Sequence, residues 1–200
     1  AFGNEWYSRG MYDKNSREFE HHRKTWGEQK VFGYKDFIPM FKAEKFNASD
    51  WVSLFKKAGI KYVMPVAEHH DGFAMYETEF NRWNSKEMGP MRDVVGELKA
   101  ECEKQGLELC ASTHRAEHYF FMNPGRLCDS DINDEKYVDF YGPAVYCEEF
   151  DPAIIHKTTA DTYSKGASKE WLEDWLVRTC EIIDKYQPSV LYFDWWIHNH

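Results

Sequence analysis

Apolar positions along the chain repeat one pattern three times: an amphipathic segment with helical spacing, a short break, then a compact apolar run. In "SDWVSLFKKAG" the residues Trp51, Leu54, Phe55 and Ala58 share a helical face, Ser49 or Asp50 supplies the cap, and Gly59 is the stop. The run "IKYVMPVAEHH" follows, with a strand expected from Lys61 to about Ala67. In "RDVVGELKAECEKQG" Asp93 stands near the helix start, Val94, Val95, Leu98 and Cys102 form the stripe, and Gly106 ends it before "LELCASTH". In "SKEWLEDWLVRTCEIIDKYQP" Ser168 caps, Trp171, Leu172, Trp175, Leu176, Thr179 and Ile183 form the stripe, and Pro188 closes the helix before "SVLYFDWW".

Helix, break and buried strand in series predict parallel strands joined by crossover helices, hence an α/β fold. Parallel sheets of this kind are doubly wound sheets or (β/α)₈ barrels, and both place their chemistry at the carboxyl ends of the strands. The three runs end in His69-His70-Asp71, in Thr113-His114-Arg115 and in Asp194-Trp195-Trp196. None is followed by the glycine-rich turn of a nucleotide-binding fold, so a TIM-barrel-like fold is expected, incomplete in 200 residues because a full barrel needs ~250. Residues 1–200 are thus read as one partial catalytic domain, lacking its first strand and its C-terminal part. Segments 10 to 48 and 114 to 167 are long for βα loops, and such insertions shape a cleft.

Composition narrows the choice of chemistry. A net charge of -9 argues against a nucleic-acid partner, since phosphate binding needs a basic face. The stretch "HHRK" at 21 to 24 is the nearest approach to one and reads as a solvated loop. No window approaches the ~18 consecutive apolar residues of a membrane span. Cys102, Cys110, Cys128, Cys147 and Cys180 lack CxxC spacing; Cys102, Cys110 and Cys180 sit in apolar patterns and are expected as buried free thiols. No cofactor is called for, and the oligomeric state stays open.

Neighbouring residues on a strand face opposite ways, so His69 and His70 reach one ligand only if the strand ends and the backbone turns; Asp71-Gly72 supplies that turn. Asp194, set among Val190, Leu191, Tyr192, Phe193, Trp195 and Trp196, is a carboxylate that burial makes costly unless it is paired or working. An anion framed by aromatic rings suits glycoside hydrolysis, where the rings stack on the apolar face of a sugar. "NEWY" holds Glu5 and Trp6; "THRAEHYFF" holds His114, Arg115, Glu117 and His118; "RWNS" holds Trp83 and Asn84. Two other classes fit the same residues: a metal-dependent barrel hydrolase using His69, His70, His114 and Asp194 as ligands, and a non-catalytic sugar-binding barrel.

In their order and spacing, "NEWY", "KYVMPVAEHHDGFAMY", "RWNS", "RDVVGEL" and "LYFD" resemble the α-L-fucosidases of glycoside hydrolase family 29, over nearly the whole chain. The resemblance implies a retaining exo-glycosidase acting on terminal α-L-fucosyl linkages of fucosylated oligosaccharides or glycoconjugates, with no metal. It implies Asp194 as nucleophile and Glu5, Trp6, His69, His70, His114 and Tyr192 as sugar contacts. Many relatives carry Tyr-Tyr-Ser where this chain has "STHRAEH", and the His-Trp-Gly strand that precedes NEWY in the family is missing. A retaining enzyme needs a second carboxyl about 5 to 5.5 Å from the nucleophile. That residue is expected beyond His200, with Glu68, Glu117, Glu148 and Glu149 as weaker local candidates. The family's usual substrates imply a secreted, periplasmic or lysosomal setting.

Overall fold

In the computed structural model, residues 3–144, 167–194 and 197 are described. Cys147, Glu148, Glu149, Trp195 and Trp196 therefore lie outside the described residues. Helices are α1 (Tyr7–Gly10), α2 (Arg17–Thr25), α3 (Ala48–Lys57), α4 (Val94–Gln105), α5 (Arg115–Phe121), α6 (Val138–Tyr141) and α7 (Lys169–Tyr186). Strands are β1 (Tyr62–Val63), β2 (Val66–Glu68), β3 (Glu108–Leu109), β4 (Ala111–Thr113) and β5 (Leu191–Phe193).

The three expected strands are present and parallel, and each of the first two is split in the middle. β1 pairs with β3, and β2, β4 and β5 lie side by side in that order. Pro65 interrupts the first strand because it has no N–H, yet its carbonyl still accepts from Ser112 N at 3.0 Å. Cys110 N donates to the Val63 carbonyl at 2.8 Å, so the ladder runs through the break. Three parallel strands with crossover helices make the fold α/β, and no closed barrel is present among the described residues.

Helix α4 forms as its sequence predicts. The Asp93 side chain accepts from Gly96 N at 2.8 Å, Val94, Val95, Leu98 and Cys102 are buried, and Gly106 takes the left-handed conformation at the stop. Helix α7 is capped by Ser168, as expected, through a bond from Trp171 N. Its buried face, however, is Trp171, Arg178, Ile182 and Tyr186, while Leu176 and Ile183 are exposed. A charge outside the expected apolar stripe thus sits inward, because Asp174 and Glu68 neutralise Arg178. Helix α3 starts earlier than expected: Asn47, not Ser49 or Asp50, accepts from Asp50 N at 3.2 Å. Its buried residues are Ala48 and Val52, and Trp51 and Leu54 face outward, because the small-residue face is the one that fits against α4. Cys102 and Cys110 are buried free thiols, but Cys180 is exposed on the outer side of α7.

One hydrophobic cluster, including Val52, Val95, Leu98, Leu109, Ala111 and Ile182, joins the helices to the sheet. A second, including Tyr12, Phe73, Trp83, Phe121, Ile132 and Phe140, joins the N-terminal segment to the region after β4. The described parts of the two long segments thus fold on each other as packed structure rather than as loops. The "HHRK" stretch belongs to this layer: it lies in α2, and His22 is fully buried, with Nδ1 3.0 Å from Tyr7 Oη and Nε2 2.8 Å from the Phe32 carbonyl. Trp83 is likewise core, stacked on Phe140 at 4.6 Å.

Candidate active site at the carboxyl ends of the strands

The strand ends meet. β4 lies between β2 and β5, and Asp194 N donates to the Thr113 carbonyl while His114 N donates to the Glu68 carbonyl, at 3.3 and 2.9 Å. These bonds set His69, His114 and Asp194 at one level. The β2–β4 register shifts between Val66 and Glu68, a bulge-type irregularity that re-aims the side chains beyond it. The chain then turns, with Gly72 N donating to the His69 carbonyl at 3.1 Å. Asp71 closes this turn by accepting from Phe73 N at 3.1 Å and from the Tyr34 hydroxyl at 2.7 Å. Gly72 has φ of +81°, and a Cβ there would come within 2.6 Å of the His118 ring, so only glycine fits.

Bulge and turn together bring both histidines to one place. The His69 and His70 rings lie 4.2 Å apart, and the His114 ring is 4.7 Å from the first and 5.2 Å from the second. His114 Nδ1 is 2.9 Å from Asp194 Oδ2, and the Tyr192 hydroxyl donates to Asp194 Oδ1 at 3.4 Å. Trp6 meets the His70 ring edge-on at 5.9 Å, and Phe121 lies 5.1 Å from it on a tilted plane. Glu5 is exposed in the turn just before α1, and Tyr192 is half exposed. Asp194 departs from its expected burial: its side chain keeps 26% of its accessibility. It is open to a ligand on one side and flanked by His114 on the other.

The electrostatics separate hydrogen-bonding groups from charged ones. Burial pushes His69 down to about 3, with His70 and His114 adding to the effect. Burial also lowers His114, against the opposing pull of Asp194. Both rings are therefore neutral near pH 7, each with one donor and one acceptor nitrogen for hydroxyl groups. His118 sits behind them fully buried, its Nδ1 2.8 Å from the His70 carbonyl, and burial holds it at about 3.

Beneath the site lies an ion network that the sequence reading did not anticipate. Arg115 donates to both Glu68 and Asp174 at 2.5 Å, and Arg178 donates to Asp174 at 2.9 Å and lies 3.8 Å from Glu68. Glu68 and Arg115 are the immediate neighbours of His69 and His114, so this network ties the two strand ends to α7. It also leaves Glu68 buried and paired with Arg115. Glu117 is fully buried beside His70. It is among the local carboxyl candidates in the sequence, and the structure sets it three residues after His114 in the first turn of α5.

Nitrogens of His69, His70 and His114 all lie within 4.8 Å of one another, the widest separation a shared ion would have to accommodate. Ligands held at ~2.1 Å on a tetrahedral zinc ion stand roughly 3.4 Å apart. The three rings form a group that could hold an ion, and the same nitrogens can address separate hydroxyl groups.

Neutral imidazoles, an accessible carboxylate and aromatic walls thus stand together at the carboxyl ends of parallel strands in an α/β fold. The chain matches the alpha-L-fucosidase family model over residues 1–200 and belongs to that family. It is 38% identical to the alpha-L-fucosidase of Branchiostoma floridae, covering 97% of this chain and 36% of that protein. It is 27% identical to the alpha-L-fucosidase of Dictyostelium discoideum, covering 90% and 35%. Among solved structures it superposes on Thermotoga maritima alpha-fucosidase in complex with a mechanism based inhibitor. That match has a TM-score of 0.67 and 30% identity, over 95% of this chain and 37% of that one. The chain spans about a third of the length of these relatives.

Proposed function

We propose that residues 1–200 are part of a (β/α)₈ catalytic domain whose parent protein hydrolyses terminal α-L-fucosyl linkages with retention of configuration. The observation that carries this reading is the convergence of His69, His70, His114 and Asp194 at the ends of three parallel strands. Family membership supports the fucosidase activity and the fucosylated glycan substrate. The parallel sheet with crossover helices supports the barrel.

In this mechanism Asp194 attacks the anomeric carbon and forms a glycosyl-enzyme, which water later hydrolyses. His114 and Tyr192 hold its two oxygens and fix the direction of attack. His69, His70 and His114 exchange hydrogen bonds with the fucose hydroxyls, Trp6 covers an apolar face of the ring, and Glu5 accepts from a hydroxyl. A second carboxyl protonates the leaving oxygen and then activates water. Metal ligation by the three histidines, whose nitrogens all lie within 4.8 Å of one another, is the second reading, and family membership favours the sugar site.

The test is the full-length protein carrying Asp194→Gly, assayed on an aryl α-L-fucoside with and without azide. Turnover should fall by at least about 10³-fold and return in azide as a fucosyl azide of inverted configuration. Turnover unchanged without azide would remove Asp194 from the mechanism. Fucose binding without any turnover by the intact protein would make the site a sugar-binding module instead.

A further inference from the structure

The His70 ring has its plane set by aromatic walls, with Trp6 at 5.9 Å and Phe121 at 5.1 Å. Those walls leave open a half-turn of the ring, which would exchange Nδ1 with a carbon. What distinguishes the two states lies on the inner edge. Nδ1 is 3.0 Å from Glu117 Oε2 and 3.1 Å from the His114 carbonyl oxygen. A carboxylate and a carbonyl both accept, so Nδ1 carries a proton and Nε2 is the ring's remaining polar atom. Neither the His70 nor the Glu117 side chain keeps more than 2% of its accessibility. Among the described residues neither Glu117 oxygen has a hydrogen-bond partner, and a buried carboxylate is expensive in that state, so the His70 ring 3.0 Å from Oε2 is its nearest source of compensation. Helix α5 carries it there: Glu117 N lies 3.3 Å from the His114 carbonyl, so the strand end that delivers His114 also delivers Glu117.

We propose that Glu117 is a positioning residue, which together with the His114 carbonyl holds His70 in the Nδ1–H tautomer with Nε2 free to accept from a sugar hydroxyl. This deepens the fucosidase reading and rests on it for the identity of the sugar. It fits the logic by which a second polar group fixes the tautomer and orientation of a histidine that meets the ligand.

The experiment uses the full-length protein with ¹⁵N-labelled histidine, as wild type, Glu117→Leu and Glu117→Gln. The wild-type His70 signals should report a protonated Nδ1; an Nε2–H tautomer there would overturn the proposal whatever the variants do. Glu117→Leu leaves the His114 carbonyl as the one remaining acceptor, so the His70 Nδ1 signal should shift and KM for an aryl α-L-fucoside should rise about tenfold, with kcat within about twofold. Glu117→Gln keeps an acceptor oxygen and should hold both the signal and KM to within about threefold of wild type. A folded Glu117→Leu protein with wild-type signals and KM would also overturn it. If the wild-type protein neither binds fucose nor cleaves fucosides, the fucosidase reading fails, and the tautomer signal still decides the role of Glu117.

Discussion

At the scale of single residues, the histidines do different work despite their shared neighbourhood. His69 and His114 meet the cleft as neutral rings, whereas His118 is walled in behind them and held at about 3 by burial, Arg115 adding to the effect. A histidine with a depressed folded value adds no pH dependence above its unfolded value of about 6.5, where both states are neutral. Below that, the unfolded chain takes a proton that the folded chain refuses, so stability declines as pH falls from about 6.5 toward 3. Denaturant midpoints at pH 7.5 and 5 should show a loss of up to about 2 kcal/mol from this group, and His118→Gln should flatten the decline. An equal slope in the variant would show that His118 is not responsible. His69, His70 and Asp194 were legible in the sequence because each follows an apolar strand and is chemically out of place there. Tyr34, which donates to Asp71 from 37 positions away, was not legible, because no local pattern connects the two.

At the scale of elements, the regular helices were the readable part, and their inward faces were the unreadable one. Helix α4 has an uninterrupted apolar stripe and polar flanks, so its face, cap and stop all follow from spacing. Helix α3 has two apolar faces, and periodicity alone does not tell which one a neighbour covers. Its corrected start gives a direct check: Asn47→Ala should cost about 1 kcal/mol in chemical denaturation, and Asp50→Ala less than half of that. Helix α7 hid its face behind charge, since Arg178 is buried by virtue of Asp174 on the same helix and Glu68 on β2. Such networks need geometry that no sequence window contains. Removing one cation from it leaves carboxylates unpaired, so Arg115→Met should destabilise the protein by about 3 to 5 kcal/mol. It should also weaken fucose binding, because Glu68 and Arg115 anchor the residues next to His69 and His114. A loss under about 1 kcal/mol would mean that the network is not what ties the strands to α7.

At the scale of the whole molecule, the succession of parallel strands and crossover helices was predictable, and so was the side of the sheet that carries the chemistry. The hydrophobic layer built by residues 7–40 and 121–144 was not, since its members come from segments that read as loops. Several large apolar side chains face solvent on the described surface, among them Leu54, Tyr62, Leu176, Ile183 and Val190. Among the described residues the sheet is open, and open edges pair with other chains. The isolated 200-residue chain should therefore self-associate in sedimentation experiments at micromolar concentration; a clean monomer would contradict this. The central claim, that the strand-end cluster is a fucose site with Asp194 as its nucleophile, is tested most directly by covalent trapping. The full-length protein is incubated with a ring-fluorinated fucosyl fluoride, digested with protease and sequenced by mass spectrometry. The account predicts one fucosyl label, on Asp194 in the peptide that follows β5. A label on another carboxylate, or stoichiometric inactivation with no label on Asp194, would contradict it.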